Sequence, residues 1–248
     1  MDRIQRKNLR EIEGLNQRGG RTLSFVDLIR AGTMSDELVA YCWTAIAHGA
    51  SFLTAARPGG AGKSTVLANL LCLLPPNEEI VTVTDPDIVD DSVPNCYLAH
   101  EIGSGHWYGY IWASQVRDFM ALMARGSRIA SCLHADYLDE TRSILTAPPL
   151  EVPLDHFSML DLLLFVHVAP GNQRRVATAY ESGPEGHQLV FEWDRDTDRL
   201  AHTRPSALLT RLGAQQTEYE GRLQTVRNIV REGDADFAVV RQKVLAEY

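Results

Sequence analysis

Residues Gly59-Gly60-Ala61-Gly62-Lys63-Ser64-Thr65 form a run whose residue types and order suit the binding of a phosphate chain. Glycines let successive backbone N–H groups turn inward to line an anion-sized nest. A helix starting at the lysine adds its positive end. Lys63 would reach the β- and γ-phosphates, and the Ser64 hydroxyl would hold Mg²⁺, so ATP and Mg²⁺ are the ligands this loop implies. The chain has 21 arginines but only three lysines, Lys7, Lys63 and Lys243, and one of the three stands here. The first glycine of the full G-x-x-x-x-G-K-[ST] pattern falls at Arg57. Its side chain either crowds the loop or points to solvent; if it blocks the loop, the run is a strand–helix turn without a ligand.

The loop needs a strand before it and a helix after it, and the flanking pattern provides both. Residues 51–56 are a short apolar strand, and Val66, Leu67, Leu70, Leu71 and Leu74 recur at helical spacing until Pro75-Pro76 stops them. Upstream, Ser35 starts a helix with Asp36 and Glu37 in its first turn, and Gly49 can end it. Further apolar strands are expected at 80–84, 96–102, 128–135 and 161–168, with a helix over 112–125. Strands that are apolar on both sides and alternate with helices predict an α/β fold, a mostly parallel sheet covered on both faces. After Pro170 the period drops to two, at 174–180, 188–193 and 199–201, predicting a small antiparallel meander over 170–202. Residues 205–248 return to helix, with Asp234 as N-cap of the last one. Residues 1–30 read as a helical or irregular N-terminal arm and 31–248 as one domain.

The charge of −8 argues against nucleic acid as the main ligand, because a phosphate backbone calls for a basic face. The one basic stretch, Arg3, Arg6, Lys7, Arg10, Arg18 and Arg21, is either a solvated helix face or a docking surface for an acidic partner or membrane. No apolar run approaches the ~18 residues of a membrane span. Cys42, Cys72, Cys96 and Cys132 lack a framework spacing, so a reducing, cytoplasmic setting is expected.

Beyond the loop, the run 34–43, then Leu74-Pro75-Pro76, then Ile80-Val81-Thr82-Val83-Thr84-Asp85, resembles the motor domain of the secretion-superfamily ATPases, the engines of type II and type IV secretion, type IV pili and archaeal flagella. Leu133-His134-Ala135 resembles that family's His box, and residues 218–248 its C-terminal helices. The resemblance implies a RecA-like P-loop NTPase core, ATP at a subunit boundary, and assembly as a homo-oligomer or within a secretion or pilus complex peripheral to a membrane. It places Asp85 in the Asp box, His134 in the His box, and Glu101 as the acid acting on Mg²⁺ or the attacking water. An ordinary loop acid is the competing reading of Glu101.

The departures matter as much. Thr84 and Ile88 stand where the family carries glutamates, with Asp87, Asp90 and Asp91 as shorter substitutes nearby. Residues 86–100 contain no arginine where the family has its arginine fingers, and the family's large N-terminal domain is replaced at most by the arm. Two functions result: an ATP-binding, slowly hydrolysing motor-type domain, or a nucleotide-binding but catalytically silent regulatory or assembly module. Three further groups are open. Cys96, His100, Cys132 and His134 are either a zinc set or buried hydrophobes and ordinary histidines. The aromatic run 106–112 is a packed loop, an oligomer contact or an adenine lid. Arg142, Arg174 and Arg175 are surface charges or phosphate sensors across a subunit boundary.

Overall fold

The computed structural model describes residues 2–16, 19–84 and 95–248. Helices α1 (Arg3–Gly14), α2 (Phe25–Arg30) and α3 (Asp36–Ala47) precede strand β1 (Phe52–Ala55) and helix α4 (Lys63–Leu71). The chain continues through β2 (Glu79–Thr82), β3 (Asn95–Ile102), β4 (Tyr110–Ile111), α5 (Ser114–Ala121), β5 (Arg128–Leu133), α6 (Leu138–Thr146) and α7 (Leu154–Ser158). It ends with β6 (Leu162–Ala169), β7 (Gln173–Gly183), β8 (Gly186–Asp194), β9 (Arg199–His202), α8 (Ala207–Arg211), α9 (Gln216–Glu232) and α10 (Phe237–Leu245).

The sheet order is β2-β3-β5-β1-β6-β7-β8-β9, with β4 added alongside β3. The first five run parallel and the last three antiparallel, so the mixed α/β architecture expected from the pattern is the one observed. Successive residues of each parallel strand point to opposite faces. Phe52, Leu98, Leu162 and Leu164 join one core with α1, α3, α4, α9 and α10; Leu53, Tyr97, Leu163 and Phe165 join a second core with α5, α6 and α7. Burial on both sides is why these strands read as continuous apolar runs.

Local signals explain several helix ends. The Ser35 hydroxyl accepts from the Leu38 N–H at 3.1 Å and opens α3, and Gly49 closes that turn at φ +98°. The last helix departs from expectation. Asp236, not Asp234, caps α10 by accepting from the Val239 N–H, while Asp234 accepts from the Asp236 N–H. The expected 112–125 helix is shorter, ending at Ala121 and followed by a tight 3₁₀ turn.

The N-terminal residues form two helices, of which α1 docks on the sheet's edge and α2 packs against α9. Asn8, 1% exposed, donates to Glu78 O and accepts from the Ile80 N–H, both at 2.8 Å, so α1 satisfies backbone groups beside edge strand β2. Gln5 donates to Pro76 O and accepts from the buried Arg241 guanidinium of α10. Lys7 pairs with Glu79 and Arg21 with Asp27; Arg3, Arg6 and Arg10 are exposed, and Arg18 lies outside the described residues. Replacing Asn8 with Ala strands two buried backbone groups and is expected to cost about 2–3 kcal/mol in urea unfolding, against under about 0.5 kcal/mol for Arg10→Ala. Equal losses for the two variants would refute the docking role.

Candidate functional site

β1 is the central strand, between β5 and β6, and the chain leaves its C-terminal end into the glycine-rich loop. Ligands of open α/β sheets gather at that end, where neighbouring connections diverge. The Thr54 hydroxyl donates to the Lys63 carbonyl at 3.1 Å and ties strand end to helix start. Gly62, at φ +102°, is the turn residue before α4; the left-handed conformation requires glycine there. Among the described residues no side chain caps α4, which leaves its first N–H groups open, as an anion-binding helix start requires.

Three side chains from three elements meet at this end. Lys63 opens α4, Glu101 lies near the end of β3, and His134 follows β5. Lys63 Nζ sits 3.3 Å from both ring nitrogens of His134 and 3.5 Å from Glu101 Oε1, and His134 Nε2 sits 3.2 Å from the same oxygen. His134 Nδ1 lies 2.8 Å from Arg57 O, which can only accept, so Nδ1 carries a proton and Nε2 faces Lys63 and Glu101. Lys63 and Glu101 are each only 7% exposed at the side chain, and among the described residues Glu101 Oε1 has ion-pair neighbours but no well-formed hydrogen bond. A buried carboxylate oxygen so placed is suited to accept from a water or to approach a cation. The Ser64 hydroxyl is close by, 4.0 Å from Cys132 Sγ.

The Arg57 side chain is turned away from the loop. It is 65% exposed and pairs with Glu140 of α6 and with Asp136, while its backbone N–H donates to Asp136 at 2.8 Å. Of the two readings of Arg57, solvent is the observed one. Asp85, Asp87, Ile88, Asp90 and Asp91 lie outside the described residues; Thr84 is described and exposed.

The loop opens into a cavity of about 750 Å³ whose far wall is the N-terminal segment, with Ile12, Leu15, Leu23 and Leu28 facing Gly59–Val66 and Ala68. The hairpin root Asn172–Arg174 closes one side and His100 and Tyr110 another. Sequence reasoning missed this contribution of residues 12–33. One signal was present: Ser24-x-x-Asp27 is a capping box, and Asp27 accepts from the Ser24 N–H at 2.8 Å. Arg174, read from the sequence as a surface charge or a phosphate sensor across a subunit boundary, stands here against its own chain's loop.

The zinc reading of Cys96, His100, Cys132 and His134 does not form. Among the described residues no group of three or more metal-ligating side chains comes together. His100 is buried, and burial lowers its pKa, with nearby Glu11 opposing, so it is neutral; both ring nitrogens lack partners among the described residues. In the aromatic run, Tyr110 and Ile111 pair with β3, Tyr108 meets the His100 ring edge-on, and Trp107 and Tyr108 are exposed. All four cysteines are free and buried; burial pushes Cys72 and Cys132 up to about 12 and raises Cys42 and Cys96 as well. Ellman's reagent at pH 8 is therefore expected to find no thiol in the native chain and four after denaturation. Rapid reaction of even one native thiol would contradict this burial.

No protein-family model matches the chain. The uncharacterized protein MJ0900 of Methanocaldococcus jannaschii is 26% identical over 215 residues, covering 73% of this chain and 38% of that protein. The VirB11 ATPase of the Brucella suis type IV secretion system, solved with sulphate, superposes with a TM-score of 0.40 at 13% identity, covering 84% of this chain and 58% of that one. The chain thus spans about four-tenths of the curated relative's length. Among the described residues no helix is long and apolar enough to cross a membrane.

Proposed function

We propose that the chain binds Mg·ATP at Gly59, Gly60, Ala61, Gly62, Lys63, Ser64 and Thr65 and hydrolyses it slowly. The observation that carries this reading is the convergence of Lys63, Glu101 and His134 at the start of α4, where, among the described residues, no side chain caps the helix and Glu101 Oε1 is buried without a hydrogen bond. The backbone nest and Lys63 hold the polyphosphate. Ser64 and Glu101 are the residues suited to hold Mg²⁺, which when bound neutralises phosphate charge. Glu101 accepts from and orients the attacking water. His134, anchored on Arg57 O, presents Nε2 toward the same space. Asp85 is proposed, from the resemblance alone, to complete the acid set.

In the same reading residues 31–248 are a motor-type domain of the secretion-ATPase kind, working as an oligomer or in a membrane-peripheral assembly. Four free cysteines suit a reducing cytoplasm. Slow turnover is expected because Thr84 and Ile88 replace glutamates and residues 86–100 lack arginine. Those same substitutions favour the second reading, a silent nucleotide-binding module.

Phosphate release from Mg·ATP, together with equilibrium binding, tests both. Lys63→Ala is expected to abolish binding with the fold intact, and an unchanged affinity would remove the site. Glu101→Gln is expected to keep binding within a few-fold and lower kcat by about 10² or more. Wild-type binding without release above the Lys63→Ala blank would select the silent module.

A further inference from the structure

Two cations in the cavity have no task in the preceding reading, and of these Arg21 is paired with Asp27 while Arg174 is not. It lies at the root of β7, half-buried, and lines the same cavity as Lys63 and Glu101. Its guanidinium meets neutral carbonyls: Nη2 donates to Gly60 O at 3.3 Å and Nη1 to Asn172 O at 2.5 Å. Among the described residues no carboxylate pairs with it, whereas Arg57, Arg128, Arg175 and Arg211 each have one. Its stem runs along the outside of the loop, where a Cβ on Gly62 would meet Arg174 Cγ at 3.5 Å.

The backbone beneath it is held firmly. Arg175, 5% exposed, grips Asp198 through two bonds of 2.8 Å and donates to Ala31 O at 2.9 Å. Trp193 donates to the same carboxylate, and the Val176 N–H donates to Thr33 O. Arg174 is thus a charged fork on a fixed base, one side-chain length from the phosphate nest. Its bonds to carbonyls are of a kind that a phosphate oxygen, bearing full negative charge and matching the guanidinium's geometry, displaces readily.

We propose that Arg174 is a nucleotide-contacting residue acting within its own chain. On binding, the guanidinium leaves Gly60 O for a phosphate oxygen, so that one chain supplies two cations, Lys63 and Arg174, to the polyphosphate. This rests on the nucleotide reading above and deepens it: the arginine absent from residues 86–100 has a counterpart that needs no neighbouring subunit.

Titration calorimetry with Mg·ATP and, separately, with magnesium tripolyphosphate tests it on the full chain. Arg174→Ala is expected to weaken both ligands alike, by about tenfold or more, because the lost contact is to phosphate. Arg174→Gln, which keeps N–H donors for Gly60 O and Asn172 O, is expected to weaken both to a similar extent while leaving the thermal midpoint near wild type. A loss for Mg·ATP alone would place Arg174 on the nucleoside and overturn the proposal. So would unchanged affinities, or full retention in Arg174→Gln, which would mark a structural bond to the loop. In each of those cases Lys63→Ala still weakens binding and the nucleotide reading stands. A wild-type chain that binds neither ligand overturns both.

Discussion

One hydrogen bond, from the buried Thr54 hydroxyl to the Lys63 carbonyl, fixes where the end of β1 stands relative to the start of α4. The segment between them turns through Gly60 and Gly62, both at positive φ. Once its two ends are pinned, the loop cannot widen without breaking a buried polar contact. Thr54 also touches Cys132 Sγ at 3.2 Å, which couples the loop to β5 and so to the strand that delivers His134. Lys63 would not face Glu101 and His134 if β1, β5 and β3 were not held in their order at the middle of the sheet.

The sheet's edges are treated unequally. On the β2 side, α1 lies along the strand and Asn8 answers its backbone groups, while Arg241 gathers Cys72 O, Leu74 O and Gln5 into one buried knot. Burial lowers the pKa of Arg241, yet its donors are met by three oxygens, and this keeps a charged group tolerable in the interior. The same docking brings residues 19–28 over the glycine-rich loop, and Asn69 of α4 donates to Leu23 O at 2.9 Å. The N-terminal residues thereby belong to the cavity as much as to the edge.

What could be read in advance follows from which forces leave a mark in one dimension. Apolar strands buried on both faces, the two prolines after α4 and the glycines of the loop each have a local signature, and the parallel half of the sheet was legible from them. The docking of α1 was not, because its inner face is built on Gln5 and Asn8 as well as Ile12, and the backbone groups that these two amides meet lie about 70 residues along the chain. The outward turn of Arg57 depends on Glu140, far along the chain and on a helix that the pattern did not announce. Two acids stand near the start of α10, and which of them caps it is settled by a two-residue shift. His134 and Glu101 were legible only through a family resemblance; spacing alone does not bring them beside Lys63.

The closeness of Lys63 to Glu101 bears on how the site meets anions at a distance. A lysine beside a buried carboxylate presents nearly no net charge beyond a few ångströms, and the whole molecule carries −8. On the nucleotide reading, a polyanion then meets net repulsion at long range, which added salt screens, and discrimination falls to short-range contacts with backbone N–H groups. Free sulphate or phosphate gains little from such a floor. On the same reading, an elongated anion that spans the loop gains many contacts at once, so that selection would rest on reach as well as on charge.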